Sequence, residues 1–299
     1  MVEMQSLKGN AMKPKGRTKF FSVLLGILFV AMGLAAFSQL LFLGRIDDPG
    51  SDSRWKDDKE ARLLRIGLVK PEVLNWSPRI ILLHKFLSAE ECDYLIAIAG
   101  PRLAKSTVVD TSTGKGIESK VRTSTGMFLS NYDRRYPMIQ AIERRIAVYS
   151  MIPVENGELL QVLRYEPNQY YKPHHDYFSD QFNLKRGGQR VATVLMYLSD
   201  VEEGGETIFP SVQCLLLKML YMYSFLSIFL FPKVGDGECE CGGELRKGLC
   251  VKPRKGDAIL FWSAALDGNV DSNSLHGGCS VLRGEKWSAT KWLRQSRFS

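Results

Sequence analysis

The first pattern along the chain is a predominantly apolar run, Phe20 to Leu43, 24 residues without a charge. A bilayer core needs about 20 such residues, whereas the apolar region of a cleaved signal peptide runs to about 7–15. The run therefore predicts a transmembrane signal-anchor over residues 20–43. A long signal peptide cut near Ala35-Ala36 is the competing reading. Residues 1–19 ahead of it hold Lys8, Lys13, Lys15, Arg17 and Lys19 against Glu3. Such a basic flank stays cytosolic, which sends the remaining chain into a lumen as a single-pass protein. Residues 44–62, with Asp47-Asp48-Pro49-Gly50-Ser51-Asp52, are too polar to bury a core and predict a solvated stem.

Residues 63–299 are long enough to fold around a core of their own. Arg79 to Leu83 predicts a strand, and Ser88-Ala89-Glu90-Glu91 has the capping-box pattern of a helix that Gly100-Pro101 ends. A second helix is expected from Pro137, suited to a first helical position, to about Tyr149, with Ile139, Ile142 and Ile146 on one stripe. Helices first and then several short strands predict an α+β domain whose sheets close into a jelly roll. Leu215 to Phe231 interrupts this pattern with 17 mostly apolar residues. As a membrane span it would separate His174 and Asp176 from His276 and Lys286, so residues 211–233 are read as an atypical insertion. A buried or surface-lying loop and an aberrant segment both fit; the aberrant segment is preferred because a new apolar patch invites aggregation.

Composition adds little to this picture. The net charge of +8 owes half its value to the tail ahead of the anchor, and no later basic run suggests a nucleic acid partner. Nothing in the pattern specifies an oligomeric state. Six cysteines in a lumenal chain predict disulfides with open connectivity. Cys239-x-Cys241 with Cys250 lacks the CxxC pair and nearby histidine of a zinc cluster. Asn75-Trp76-Ser77 is a glycosylation sequon, followed by a disfavouring Pro78.

The chain has four histidines, His84, His174, His175 and His276. On an extended strand His174 and Asp176 share a face while His175 points away. His276, about a hundred positions on, supplies a third donor, and Lys286 follows ten residues later. Two histidines and one carboxylate leave open coordination positions, the arrangement of non-haem iron(II) oxygenases. His84 has no matching spacing and is read as structural.

These residues resemble the iron(II) and 2-oxoglutarate dioxygenases. The flanking Gln161–Tyr165, Gly188–Leu198, Glu202–Thr207 and Gly284–Trp292 are similar to the prolyl 4-hydroxylases of plants, from about Leu63 to Leu293. The resemblance implies a double-stranded β-helix core with flanking N-terminal helices. It further implies hydroxylation of peptidyl proline in proline-rich polypeptides, with O2 as co-substrate and ascorbate as a further cofactor, in the endoplasmic reticulum or Golgi. By the same resemblance His174, Asp176 and His276 hold iron, and Lys286 meets the distal carboxylate of 2-oxoglutarate. Tyr165 and Thr207 hydrogen-bond that co-substrate, and Tyr171, Arg190 and Trp292 line the peptide groove. A buried lysine lacking a partner is costly, so an anionic ligand also suits Lys286 on chemical grounds. Two alternatives remain: a membrane-tethered module binding proline-rich chains and disabled by the insertion, and a sibling dioxygenase with another substrate.

Overall fold

The computed structural model describes residues 58–109, 116–118, 120–212 and 237–298. The expected basic tail, the anchor over 20–43, most of the stem and the apolar run Leu215–Phe231 lie outside the described residues. No helix among the described residues is long and apolar enough to cross a membrane.

In chain order the strands are β1 (Lys70–Trp76), β2 (Arg79–His84), β3 (Ala104–Lys105), β4 (Thr107–Val109), β5 (Gly116–Glu118), β6 (Thr125–Phe128), β7 (Gln161–Tyr165), β8 (Tyr171–His174) and β9 (Arg190–Tyr197). They continue with β10 (Glu203–Gly204), β11 (Thr207–Phe209), β12 (Glu238–Cys241), β13 (Glu244–Lys247), β14 (Leu249–Val251), β15 (Ala258–Trp262), β16 (His276–Gly278), β17 (Val281–Arg283) and β18 (Lys286–Arg294). Eight join into one sheet, β1-β2-β15-β9-β18-β7-β6-β3, and four into a second, β14-β11-β16-β8. Two sheets with helices packed on one of them agree with the α+β jelly-roll expectation.

Side chains alternate across a strand, and here the alternation separates the core from the site. On β18, Lys286, Ser288, Thr290 and Trp292 line an internal cavity, while Ala289 and Leu293 belong to the core on the other face. Likewise β9 sends Thr193 and Leu195 to the cavity and Ala192, Val194 and Met196 to the core.

That core is closed by two helices, α2 (Ala89–Ala99) and α3 (Pro137–Ser150); a short helix, α1 (Lys59–Leu64), precedes them. The Ser88 hydroxyl accepts from the Glu91 amide at 3.1 Å and the Glu91 carboxylate accepts from the Ser88 amide at 2.9 Å, completing the expected capping box. The same carboxylate accepts from both ends of the Arg145 guanidinium, each at 2.8 Å, so a buried ion pair fastens α2 to α3. Ile139, Ile142 and Ile146 are buried on α3 as their spacing predicts. The expected order is corrected at one point: β1 and β2 precede α2 yet enter the large sheet. Their place there comes from long-range pairing of β2 with β15, Leu83 opposite Ala258.

Two disulfides form, Cys239–Cys250 and Cys241–Cys279, so those cysteines are no zinc cluster; Cys92 is free and buried. Asn75 of the sequon is 6% exposed, and its side-chain amide donates to the Pro78 carbonyl at 3.1 Å. Val212, at the start of the expected insertion, is buried in one cluster with Phe209 and Val251.

Candidate active site

Strands β8 and β16 pair antiparallel with His174 opposite His276, which brings side chains a hundred positions apart face to face. Asp176 does not sit on the strand as expected: β8 ends at His174 and Asp176 follows in a bend. Convergence comes from that bend and from Thr193 on β9, whose hydroxyl donates to Asp176 Oδ2 at 2.7 Å. His174 Nε2 lies 3.6 Å from Asp176 Oδ1, and His276 Nε2 lies 3.5 Å from Oδ2. The ligand atoms of all three residues fall within 4.8 Å of one another.

Each imidazole is oriented from behind. His174 Nδ1 donates to the Lys172 carbonyl and His276 Nδ1 to the Ser274 carbonyl, both at 2.9 Å. A carbonyl can only accept, so the proton resides on Nδ1 and the Nε2 lone pairs face the carboxylate. Burial pushes His276 down to about 4, with Asp176 opposing, which keeps the ring neutral near pH 7. Burial works against ionisation of Asp176, but His276 and His174 outweigh it and hold the carboxyl well below the usual carboxylate range. Two neutral imidazoles and one carboxylate form the donor set that suits a non-haem iron(II) ion, so the residues fit the metal. His175 stands apart, its Nε2 bonded to the Ser272 carbonyl at 3.0 Å. His84 is held 2.9 Å from both Glu72 and Asp257, a structural histidine as expected.

The cavity that the three ligands line also holds Tyr165, Thr207 and Lys286. Lys286 opens β18 directly opposite Tyr165 on β7. Its ammonium is buried and donates to the Gly205 carbonyl at 2.6 Å, and no carboxylate lies within 4 Å of it among the described residues. Burial lowers the ammonium to about 8, with Glu206 opposing. A buried cation facing this cavity, with one carbonyl and the Tyr165 and Tyr197 rings 5.6 Å away as its neighbours, fits an anionic ligand such as a carboxylate. Thr207 Oγ1 accepts from the Tyr197 hydroxyl at 2.8 Å.

Outside this cavity a groove of about 620 Å³ is lined in part by Tyr171, Arg190 and Trp292, the three residues the resemblance places against peptide. Tyr171 stacks on His174 with centroids 3.7 Å apart, and burial raises its hydroxyl to about 12. Arg190 pairs with Glu158 through contacts of 2.6 and 2.7 Å while lying 4.0 Å above the Trp292 ring. Sequence reasoning passed over Arg122, which is buried 4.7 Å above Tyr171 and donates to Gln161 at 3.0 Å. It lies outside any pattern of periodicity, so no local signal marks it.

The 2OG-Fe(II) oxygenase superfamily profile matches residues 160–294. Prolyl 4-hydroxylase 1 of Arabidopsis thaliana is 57% identical over 295 residues, covering 92% of this chain and 96% of the relative. Probable prolyl 4-hydroxylase 3 of the same plant is 53% identical over 227 residues, covering 76% and 73%. Among solved structures, the viral collagen prolyl hydroxylase of Paramecium bursaria Chlorella virus-1 in its 2OG complex aligns at 28% identity and a TM-score of 0.48, covering 71% of this chain and 94% of its own. On the identity and nearly full coverage of the first relative, the chain belongs to the plant-type prolyl 4-hydroxylases of the 2OG-Fe(II) oxygenase superfamily.

Proposed function

We propose that this protein hydroxylates peptidyl proline at C4 in proline-rich polypeptides, with iron(II), 2-oxoglutarate and O2. One observation carries the reading: the His174, Asp176, His276 cluster and the buried Lys286 line one cavity, which adjoins an aromatic groove. His174, Asp176 and His276 would hold the metal, and Lys286 would hold the distal carboxylate of 2-oxoglutarate, with Tyr165 and Thr207 donating or accepting beside it. When bound, iron with 2-oxoglutarate and O2 supplies the oxidation, placing one oxygen atom on the substrate and the other in succinate, with release of carbon dioxide. Tyr171, Arg190 and Trp292 line the wall along which the peptide lies. Arg190, neutralised by Glu158, serves there as a flat stacked surface more than as a charge. A polyproline II chain suits such a wall because it arrives already ordered. Incubation with proline-rich peptide, iron(II), ascorbate and 2-oxoglutarate tests the proposal: mass spectrometry should show one added oxygen per modified proline, and unmodified peptide would refute it.

The surroundings of this domain follow from the amino-terminal sequence. We infer a single-pass protein of the endoplasmic reticulum or Golgi membrane, with its N-terminus cytosolic and the catalytic domain lumenal. In intact microsomes a tag ahead of Met12 should be digested and one after Ser299 protected. Protection of both, or cleavage near Ala36, overturns the topology.

The apolar run sets a further expectation. Strands on either side of it pair directly, β11 with β14, Thr207 opposite Val251. Added loop length costs only about 0.6 kcal/mol per doubling, so apolar content is the greater burden. Deleting Gln213 to Lys233, which spares the buried Val212, should raise both soluble yield and proline hydroxylation. Equal activity with and without the segment would show a tolerated loop.

A further inference from the structure

The groove outside the cluster holds an aromatic ring that neither the sequence motifs nor the cluster's chemistry accounts for. Phe128 ends β6 directly opposite Gln161 of β7, and Gln161 in turn faces Thr290 of β18. Thr290 and Trp292 fall two residues apart on one face, which places Phe128 diagonally beside Trp292. Their ring centroids lie 6.2 Å apart with the planes tilted by 38°. The two rings differ in what they offer. Trp292 is 7% exposed under the Arg190 guanidinium, whereas Phe128 is 49% exposed.

A lone exposed phenylalanine is ordinary. This one lines the same groove as Tyr171, His174 and Asp176, so it is continuous with the wall that leads to the cluster. A peptide with one proline held at the cluster must run on along that groove, and a polyproline II chain advances about 3.1 Å per residue. The step from Trp292 to Phe128 therefore matches about two residues of such a chain. Prolyl rings present C–H edges that carry slight positive charge, the complement of an aromatic face.

We propose that Phe128 is a specificity-determining residue, whose ring binds a prolyl ring of the substrate chain beyond the residue being hydroxylated. This rests on the proline-hydroxylation reading and adds to it the side chain that meets the substrate chain beyond the reacting proline. A chain too short to reach Phe128 gains nothing from it, whereas a long one loses an aromatic contact when the ring is removed.

The test compares wild type, Phe128→Ala and Phe128→Tyr on proline oligomers of two lengths, roughly 4 and 20 residues, or about 12 and 62 Å at about 3.1 Å per residue. With the long oligomer Phe128→Ala should raise KM about 5- to 10-fold at unchanged kcat, the size of one aromatic contact. With the short oligomer its KM should equal that of wild type, and Phe128→Tyr should match wild type on both. An unchanged KM on the long oligomer overturns the proposal. So does an equal loss on both lengths, which would mean that Phe128 only props up Trp292. Failure of wild type to hydroxylate either oligomer is a different result: it removes the proline-hydroxylation reading, and this proposal with it.

Discussion

Asp176→Ala is expected to abolish iron retention and turnover together. The carboxylate lies 3.6 and 3.5 Å from the two Nε2 atoms and is the cluster's only negative charge. Loss of a residue that merely supports a metal ligand costs 10- to 100-fold in affinity, so loss of a ligand should exceed about 100-fold. His276→Ala should behave alike. His175→Ala is the matched control. Its ring bonds the Ser272 carbonyl outside the cluster, and iron should remain. Metal analysis after gel filtration reads the result without any assay of activity. Full iron occupancy in Asp176→Ala would remove the cluster from consideration as the metal site.

Lys286→Ala should instead leave iron in place and raise the 2-oxoglutarate requirement. One charge-assisted hydrogen bond is worth about 1.5–3 kcal/mol, so the half-saturating concentration should rise about 10- to 150-fold. The pH dependence gives a second signature. Burial lowers this ammonium from the usual lysine value to about 8. The cation is thus present below that value and lost as pH rises through it. Wild type should need progressively more 2-oxoglutarate between about pH 7 and 9, since affinity falls as the charged form is depleted. The alanine variant should lack that rise. An unchanged co-substrate requirement in Lys286→Ala would place 2-oxoglutarate elsewhere.

Both predictions rest on residues that were legible before any tertiary structure. His174 and Asp176 are neighbours in sequence, and a donor pair two positions apart needs only a local chain path to converge. His276 and Lys286 stand ten residues apart on β16 and β18, with only β17 and short turns between them, so their spacing also survives translation into structure. The capping box at Ser88 and the stripe of Ile139, Ile142 and Ile146 were legible for the same reason: helical contacts link residues three and four apart.

What tertiary structure decided involves partners far apart in the chain. Asp176 reaches the histidines from a bend, held by Thr193 on a strand that begins fourteen residues later, and not by strand alternation. Arg190 meets its carboxylate partner Glu158 across 32 residues of chain. Phe128 comes beside Trp292 only because β6, β7 and β18 lie side by side in one register, and Arg122 meets Tyr171 through an isolated bridge. The disulfide pairing was equally invisible: Cys241 meets Cys279 across 38 residues because the β12–β13 hairpin lies against the end of β16. The sequence thus determined the donor types and their local order, because hydrogen-bond geometry and side-chain period act over a few residues. Which distant side chain completes, neutralises or extends the site was left to sheet register, since a shift of one residue turns every side chain to the opposite face.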